Sequence, residues 1–432
     1  MNSKNNLIPQ YRFPEFENDG SWEKYKIGDL MQSYTGLSGK SGNDFGAGKP
    51  YITYKQVFDG GNISIEDCPL VNINASENQN KVEYGDILIT TSSETANEVG
   101  YTNVIDKKPH NDTYLNSFCF GLRPLDLKFP NILFSKYLFK NNEYRNAVVL
   151  LAQGVTRYNI SKTKVVELKL SIPKNIAEQK KIAACLSSLD DVIEGYEEKL
   201  TTLKEHKKGL MQNLFPKEKE TQPKYRFPEF ENNSDWREKK LGDFADVSKL
   251  AGYEFTKHIK YENKGSIIAL RGLNIKNNSL SLDDVKYIDN SDLSMLSRSK
   301  LYIDDLMFTY IGTIGEVALI PENDKFYLAP NVARIRINKI IALPQFILQY
   351  FNNDTFKKNE IAGYISSSSQ PALTMENIRK FIVKIPEIQE QKKIAEVLSS
   401  VDELIVAQRE KIETLKEHKK GLMQGLFPKI ES

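Results

Sequence analysis

Apolar residues recur in alternating steps of four and three in two long stretches of the chain, from residue 182 to 214 and from 394 to 426. This spacing predicts amphipathic helices whose apolar stripe pairs with another helix. Each helix should have about 39 residues and a length of roughly 58 Å. We expect the helices to pair with each other through these seam positions: Ile182, Leu186, Leu189, Ile193, Leu200, Leu203, Ile394, Leu398, Val401, Ile405, Ile412 and Leu415.

The ends of these helices carry recognisable signals. Asn175 and Glu178 have the spacing of a capping box, and Pro216 and Pro428 should end the helices because proline cannot continue the backbone hydrogen bonds. A lysine interrupts each seam at the same place, Lys207 in the first helix and Lys419 in the second. Packing of each helix only against its own domain is the alternative, but two matched helices of this length favour pairing.

The stretch before each helix mixes strand and helix patterns. Segments rich in β-branched and aromatic residues predict strands, at 50–54, 86–91, 118–122, 165–172, 266–270, 301–310, 316–320, 332–337 and 381–385. Helical patterns cover 129–152 and 344–361. The predicted fold class is therefore α+β, with mixed or antiparallel sheets, and the order of elements is the same in both halves.

The chain is an internal repeat. Residues 11–18 recur as 225–232, and 176–217 recur as 388–429 with about 29 of 42 positions identical, whereas the middles differ. This predicts one scaffold with two different recognition domains and divides the chain at 1–174, 175–217, 218–386 and 387–432. A pseudo-two-fold relation would make the helices antiparallel, place Tyr11 near Pro428 and close the chain into a ring.

Composition narrows the class of protein. The net charge of +2 in 432 residues neither favours nor excludes nucleic acid, because a basic face can be balanced by acidic surface elsewhere. Cys68, Cys119 and Cys185 form no CxxC pair, so we expect no metal site and a reducing, cytoplasmic location. The longest apolar run, 147–152, is far too short to span a membrane, and we expect no membrane partner.

Catalytic patterns are hard to find. Gly39-Lys40-Ser41 resembles the end of a phosphate-binding loop, but Tyr34 stands where the first glycine is required. No methyltransferase motif occurs, and His206 and His418 fall on exposed helix positions. We therefore expect no catalytic residue and no cofactor in this chain.

Clusters of hydrogen-bond donors and aromatic residues on predicted loops are typical of nucleic-acid recognition, although any one cluster is more often an ordinary polar loop. Such clusters occur in both halves. The candidates for DNA contact are Lys40, Lys49, Lys55, Gln56, Ser92, Ser93, Arg157, Tyr158, Asn159, Lys257, His258, Arg271, Asn274, Tyr310, Thr313, Ser368 and Gln370. Arg and Lys can pair with guanine, Asn and Gln with adenine, and Ser and Thr with phosphates.

At these residues the sequence resembles a known family, the specificity subunits of type I restriction–modification enzymes. The resemblance covers essentially the whole chain. Its most specific motifs are Glu178-Gln179-Lys180-Lys181-Ile182-Ala183 and Glu390-Gln391-Lys392-Lys393-Ile394-Ala395, each shortly after an Ile-Pro pair. Gly85-Asp86-Ile87-Leu88 and Asp304-Asp305-Leu306-Met307 look like the central strand motif, although Ser92-Ser93-Glu94-Thr95 departs from its usual glycine-containing continuation.

The resemblance implies a non-catalytic subunit that selects a DNA sequence. Each globular half would be a target recognition domain that reads one part of a split site in double-stranded DNA. The helices would set the unread spacer and dock methyltransferase subunits, two being expected. Those subunits would bind S-adenosylmethionine, while separate motor–nuclease subunits would use ATP and Mg²⁺. Two alternatives stay open, a coiled-coil scaffold with two protein-binding domains and the recognition part of a fused restriction enzyme.

Overall fold

The computed structural model describes residues 7–250, 252–365 and 371–429. The chain forms two compact units, a first unit of Met1–Glu197 with Glu410–Ser432 and a second unit of Glu198–Arg409. Each unit thus contains a globular part, one half of the first long helix and one half of the second. None of the helices in the described ranges combines the length and the apolar character that crossing a membrane would require.

The globular part of the first unit mixes short strands and helices. The strands are β1 Glu23–Lys26, β2 Met31–Thr35, β3 Phe45–Ile52, β4 Leu70–Val71, β5 Ile87–Thr90, β6 Ser92–Ser93, β7 Thr102–Val104, β8 Tyr114–Leu115, β9 Cys119–Pro124, β10 Tyr158–Asn159 and β11 Lys169–Ile172. The helices are α1 Ile27–Leu30, α2 Tyr54–Asp59, α3 Ile132–Leu138, α4 Asn142–Val149, α5 Lys162–Val165 and the long α6 Ile176–Leu214.

The second unit contains the corresponding elements. Its strands are β12 Arg237–Lys240, β13 Ala245–Lys249, β14 Ile268–Leu270, β15 Ile275–Lys276, β16 Ser279–Leu280, β17 Lys286–Tyr287, β18 Leu306–Thr309, β19 Val317–Leu319, β20 Phe326–Leu328, β21 Val332–Ile337 and β22 Ile382–Ile385. Its helices are α7 Gly252–His258, α8 Pro344–Phe351, α9 Asp354–Phe356, α10 Met375–Lys380 and the long α11 Ile388–Leu426.

Three sheets have the same strand order in both units, while the pair β6–β10 occurs in the first unit and the pair β15–β16 in the second. An antiparallel sheet in the order β2–β9–β5–β7 corresponds to β13–β21–β18–β19, and the pair β1–β11 corresponds to β12–β22. Each unit also contains one parallel pair, β3 with β8 and β14 with β20. The predicted α+β class with mixed and antiparallel sheets, and the internal repeat, are confirmed.

Both long helices have the predicted length of 39 residues. The Asn175 side chain caps α6 by accepting a hydrogen bond from the Ala177 backbone N–H (2.9 Å). The capping box itself is wrong, because the Glu178 carboxylate binds Arg12 and Trp22 instead of turning back to Asn175. A buried ion pair competes for this carboxylate more strongly than a backbone N–H does.

Within each unit the two long helices run antiparallel. In the first unit Lys419 of α11 binds Asp190 of α6, and Lys416 Nζ lies 2.8 Å from the Glu197 carboxylate. In the second unit Lys207 Nζ lies 2.7 Å from both carboxylate oxygens of Asp402. The lysines that interrupt the predicted seams are therefore partners in ion pairs between the helices. A single polar pair in an apolar seam fixes the register of two helices.

The chain preceding each globular part meets the end of a long helix. The Tyr11 backbone N–H donates to the Gly425 carbonyl (2.8 Å) in the first unit, as Tyr225 does to Asn213 (3.0 Å) in the second. At Gly425 the Tyr11 ring lies so close that a Cβ atom would be 2.1 Å from it. The prediction that Tyr11 lies near the end of the second helix is confirmed.

Asparagine caps break both predicted domain helices. The pattern at 129–152 forms α3 and α4, because the Asn141 side chain accepts from the Tyr144 backbone N–H (2.9 Å) and starts a new helix. Asn353 does the same at Thr355 (2.8 Å) and divides the pattern at 344–361. Three predicted strands have other bounds. The strand at 50–54 begins earlier and ends at Ile52 because Thr53 caps α2, the one at 165–172 begins only at Lys169 because α5 ends at Val165, and the one at 301–310 begins only at Leu306 after a left-handed turn at Asp304 (φ 70°).

Candidate nucleic-acid interface

A buried ion pair anchors the start of each long helix to its globular part. Arg12 donates two hydrogen bonds to the Glu178 carboxylate, both 2.8 Å, and the Trp22 indole N–H donates a third (3.1 Å). The second unit repeats this with Arg226, Glu390 and Trp236 at 2.7 to 3.2 Å. Each glutamate is only 1% exposed. Bidentate pairing of this kind fixes direction as well as position.

The glutamine that follows each of these glutamates joins two more segments. Gln179 accepts from the Asn131 backbone N–H (2.7 Å) and donates to the Pro173 carbonyl (2.7 Å). Gln391 makes the same contacts with Leu343 and Pro386, both 2.8 Å. The most specific repeated motif of the sequence is therefore structural, since its polar side chains hold the long helix against the recognition domain.

A second repeated framework supports the central strands. Asp86 accepts from Arg123 (2.9 and 3.0 Å) and Asp305 from Arg336 (2.7 Å twice), and both carboxylates are buried. Hydrogen bonding to Asp86 raises the pKa of Arg123, and that of Arg336 is raised in the same way by Asp305. These pairs lock β5 to β9 and β18 to β21, and so give the loops that follow β5 and β18 a rigid base.

In the first unit the structure brings five of the predicted DNA-contact residues together. Ser92 and Ser93 in β6 pair with Asn159 and Tyr158 in β10. Arg157 lies beside them on the first-unit hairpin, residues 153–159, which is closed by hydrogen bonds between Gln153 and Asn159 (2.8 and 2.9 Å). The tip of this hairpin projects into solvent, with Val155 92% exposed.

Aromatic side chains border this hairpin. The Arg157 guanidinium lies 5.7 Å from the centre of the Phe118 ring, which is 53% exposed. The Tyr54 hydroxyl donates to the Ser92 carbonyl (2.6 Å) and so connects the start of α2 to β6. An exposed arginine, an exposed ring and polar backbone at one edge can contact both the phosphates and the bases of DNA.

The other candidates in the first unit lie apart or have internal partners. Lys40 Nζ binds the Glu77 carboxylate (2.6 Å), and this contact lowers the pKa of Glu77 to about 2. Gln56 completes a capping box with Thr53 (2.9 Å). Lys49 is exposed on β3, and Lys55 is exposed beside Asp59. The Ser92 hydroxyl is buried and has no hydrogen-bond partner among the described residues.

In the second unit Arg271 and Thr313 line one cavity of about 720 Å³. Phe255 and Tyr261 lie on its wall, with their ring centres 6.0 Å apart. Arg271 donates to the Asp284 carbonyl (2.6 Å), while its buried Nε has no partner in the described part of the chain. A buried donor without a partner is costly, and a ligand acceptor placed in this cavity would relieve that cost.

The remaining candidates of the second unit are dispersed. Asn274 is fully buried and caps a short turn by accepting from the Arg271 backbone N–H (3.1 Å). Tyr310 belongs to the core, and burial raises the pKa of its hydroxyl. Lys257 and His258 lie in the last turn of α7. Ser368 and Gln370 lie outside the described residues.

One pair of equivalent positions shows how the surfaces of the two units come to differ. Thr53 directly follows β3, and Arg271 directly follows β14. In each case the side chain three positions later, Gln56 or Asn274, accepts a hydrogen bond from the backbone N–H of that residue. The next residue is Tyr54 in the first unit and Gly272 in the second. Tyr54 spans the gap to β6, whereas Gly272 has no side chain and borders the 720 Å³ cavity.

All twelve predicted seam residues are buried or half-buried. The buried ones are Ile182, Leu186, Ile193, Ile394, Leu398, Val401, Ile405 and Ile412, and the half-buried ones are Leu189, Leu200, Leu203 and Leu415. Those nearest the start of each helix also belong to the domain cores, where Ile182 and Leu186 pack with Leu426, and Ile394 and Leu398 pack with Met211 and Leu214.

Several residues that build the site were not among the predicted DNA contacts, namely Arg12, Trp22, Glu178, Tyr54, Phe118 and Gly272, although Glu178 was predicted as a capping residue and Tyr54 and Gly272 lie in the predicted loop clusters. The first three carried a usable signal, because each recurs in the second half and the chain has only two tryptophans. Tyr54 and Gly272 stand next to the candidates Lys55 and Arg271, but only the structure shows that Tyr54 contacts β6 and that Gly272 borders a cavity. The three cysteines are free, and no metal-binding group of three or more His, Cys, Asp or Glu occurs within the described ranges.

Similarity to known proteins extends over most of the chain. The sequence profile of the type I restriction modification DNA specificity domain matches residues 20–205 and 233–417. The type I restriction enzyme MjaVIII specificity subunit of Methanocaldococcus jannaschii is 23% identical over 421 residues, which cover 94% of this chain and 92% of that protein. The EcoKI specificity subunit of Escherichia coli K12 is 24% identical over 355 residues, covering 80% and 73%.

A solved structure shares the fold. The S subunit of a type I restriction-modification system from M. genitalium is 15% identical, with a TM-score of 0.59 over 98% of this chain and all of that one. The profile match covers both halves of the chain and includes Glu178 and Glu390, the two buried glutamates of the Arg–Glu ion pairs. The chain therefore belongs to the type I restriction modification DNA specificity family and contains two copies of its domain.

Proposed function

We propose that this chain is the DNA-reading subunit of a type I restriction–modification complex, in which each unit reads one part of a bipartite site. One observation carries the proposal. The frameworks around Glu178 and Glu390 are the same in both units, whereas the first unit presents the exposed hairpin and the second unit presents the cavity beside Arg271. A constant base with variable loops is the arrangement expected of two readers of different sequences.

The chemistry of the two surfaces supports different modes of reading. In the first unit, Arg157 and the exposed backbone at residues 154–157 would contact base edges or phosphates in a groove. In the second unit, the cavity beside Arg271 and Thr313 would receive groups that project from the DNA. The unpartnered Nε of Arg271 is the donor with most to gain from such a contact.

The long helices would set the unread spacer and dock the methyltransferase subunits. Each helix has 39 residues and is roughly 58 Å long, which equals about 17 base pairs at 3.4 Å per pair. Two methyltransferase subunits are proposed because each half offers one equivalent helix junction. They would bring S-adenosylmethionine, and motor–nuclease subunits would bring ATP and Mg²⁺, so that catalysis lies outside this chain.

Methylome sequencing tests this proposal. A host carrying the chain and its partner subunits would be compared with one carrying Arg157→Gln, and with the control Lys128→Gln on the same unit. Arg157→Gln should lower or relax methylation at bases of one half-site only, by about 1–3 kcal/mol of discrimination for a base contact. An unchanged motif, or changes in both half-sites, would contradict the assignment of the hairpin to one reader.

The coiled-coil scaffold with protein-binding domains is tested separately. The complex assembled with Arg157→Gln and Arg271→Gln together should retain its partner subunits but lose most of its affinity for a DNA duplex in fluorescence anisotropy. If duplex binding is absent already in the unmodified complex, the DNA-reading function fails and the scaffold alternative gains support.

A further inference from the structure

A cavity of the first unit lies where α4 and the edge strands β1 and β11 face the last turns of α11. Its volume is about 910 Å³. We call it the lysine groove, because the residues lining it include Lys24, Lys140, Lys169, Lys416, Lys419, Lys420 and Lys429. Among the described residues that line it, Glu143 is the one acid.

Part of this positive charge is neutralised within the protein, since Lys416 pairs with Glu197 and Lys419 with Asp190. The Glu143 carboxylate is occupied by the Ser171 backbone N–H (2.8 Å) and hydroxyl (3.0 Å), and Lys24 lies 3.9 Å from it. Lys169, Lys420 and Lys429 are exposed and have no ion pair within the described ranges. Several like charges around one cavity raise the local concentration of anions.

Lys140 is a half-buried lysine on the wall of the groove. Its Nζ donates to the Gly60 carbonyl (2.8 Å). Burial, with the nearby Lys136 and Lys419, lowers the pKa of Lys140 to about 8. An anion bound in the groove would favour the charged form of this lysine.

The corresponding place in the second unit is occupied by the chain itself. The cavity there is smaller, about 290 Å³, and its wall includes Lys217 and Glu218, which follow the end of α6. Lys384 Nζ donates to the carbonyls of Lys217 (2.9 Å), Glu218 (2.7 Å) and Glu220 (2.7 Å). This place in the fold therefore accommodates a turn of the polypeptide, residues 217–220.

Apolar side chains also line the lysine groove. Leu150 is 85% exposed there, and Met423 and Phe427 form part of the wall. A DNA duplex presents phosphates on a convex surface and offers nothing to cover these side chains. A peptide carrying both carboxylates and apolar side chains satisfies the lysines and the apolar wall together.

We propose that the lysine groove binds an acidic peptide segment of a partner subunit, with apolar side chains between its carboxylates. The proposal uses the proposed function only for the existence of partner subunits. It adds a contact at one end of the helix pair that the second unit does not repeat, because there Glu238 and Glu360 line the cavity and the chain crosses it. The groove would thus distinguish the two ends of a repeated scaffold.

The test uses the full chain and a short fluorescent peptide of alternating glutamate and leucine. The groove variant is K169Q/K420Q/K429Q, and the control variant K204Q/K208Q/K411Q removes three exposed lysines of the long helices. Anisotropy titration should show that the groove variant binds the peptide about tenfold more weakly, while the control variant binds within about twofold. Carbodiimide should cross-link the peptide to groove lysines of the unmodified chain.

Three outcomes would overturn the proposal. Equal losses in the groove and control variants would show a general charge effect. Tight binding of a glutamine–leucine peptide would show that the carboxylates are not read. Loss of duplex DNA affinity by the same factor as peptide affinity in the groove variant would assign the lysines to DNA. Loss of duplex binding in every protein, with peptide binding retained, concerns the proposed function and leaves the groove supported.

Discussion

The two units solve the same structural problem with the same residues and present different surfaces on the result. Arg12, Trp22 and Glu178 hold one recognition domain to its helix, and Arg226, Trp236 and Glu390 hold the other at nearly identical distances. The surfaces differ elsewhere. In the first unit the Tyr54 hydroxyl donates to Ser92, whereas the equivalent Gly272 of the second unit borders a cavity. The comparison teaches that folding and recognition are assigned to separate residues.

The strongest way to break this comparison is to remove the shared carboxylate. Glu178→Gln and Glu390→Gln each leave a buried arginine without its counter-ion, so each should lower the free energy of unfolding of its unit by about 3 kcal/mol. Urea denaturation followed by tryptophan fluorescence measures this, since each unit contains one of the two tryptophans beside the altered residue.

The matched control is Lys181→Gln, which removes the exposed pair with Glu15 and should change stability by less than about 0.5 kcal/mol. If Glu178→Gln and Glu390→Gln differ by more than about 1.5 kcal/mol, the two junctions are not energetically equivalent.

A smaller effect is expected at the ion pairs between the helices. Lys207 is 11% exposed and binds both oxygens of Asp402, whereas Lys419 is 22% exposed beside Asp190. Asp402→Asn should therefore cost about 2 kcal/mol of unfolding free energy, and Asp190→Asn about 1 kcal/mol, because the more buried lysine loses more when left unpaired. Thermal denaturation of the two variants side by side gives the order, and the reverse order would contradict this reading of burial.

Much of the scaffold could be predicted from the sequence because it depends on periodicity and repetition. The seams at Ile182 and Ile394, and the return of residues 11–18 as 225–232, are local patterns that survive without knowledge of tertiary contacts. The helix breaks at Asn141 and Asn353 were not predicted, because a capping asparagine resembles any polar residue within a helical pattern. In the sequence Lys207 only interrupts the apolar pattern of the first helix, because its partner Asp402 lies 195 positions away.

The candidate DNA-contact residues were less predictable than the scaffold, because their roles depend on partners that the sequence does not identify. Lys40 looks like a free loop cation, but Glu77 holds it, and Gln56 and Asn274 are turned inward as caps. Side chains that bind DNA and side chains that cap a turn belong to the same residue types. Only the three-dimensional partners separate them, as the exposed Arg157 and the inward Asn274 illustrate.

Lys140 allows the two units to be compared through pH. Its counterpart before the capping asparagine of the second unit is Asn352. Burial lowers the pKa of Lys140 to about 8, from 10.5 in the unfolded chain, so the unfolded state binds more protons between these values. The contribution of Lys140 to stability therefore rises with pH from about 8 to 10.5, by at most about 1.4 kcal/mol per pH unit.

Lys140→Asn should remove this rise. The measurement is urea denaturation of both proteins at several pH values from neutral to alkaline, with the difference between them isolating Lys140 from the other titrating groups. The unmodified chain should gain stability relative to the variant as pH increases through this range. A difference that stays constant would show that Lys140 titrates as it does in the unfolded chain.

The smallest effect on stability is expected at Gly272, where the comparison can be sharpened most. A Cβ atom there would lie 3.7 Å from Asn331 and 3.8 Å from Thr309, which is ordinary contact, so Gly272→Ala should change the free energy of unfolding by less than about 1 kcal/mol. Gly272→Tyr would place in the second unit the residue type that stands at Tyr54 in the first. Both variants should fold. If the cavity reads DNA, Gly272→Tyr should alter or abolish methylation at the second half-site while methylation at the first half-site is unchanged. Methylome sequencing with urea denaturation as the folding control separates these readouts. A folded Gly272→Tyr variant that methylates the original motif would show that the second unit reads its half-site elsewhere.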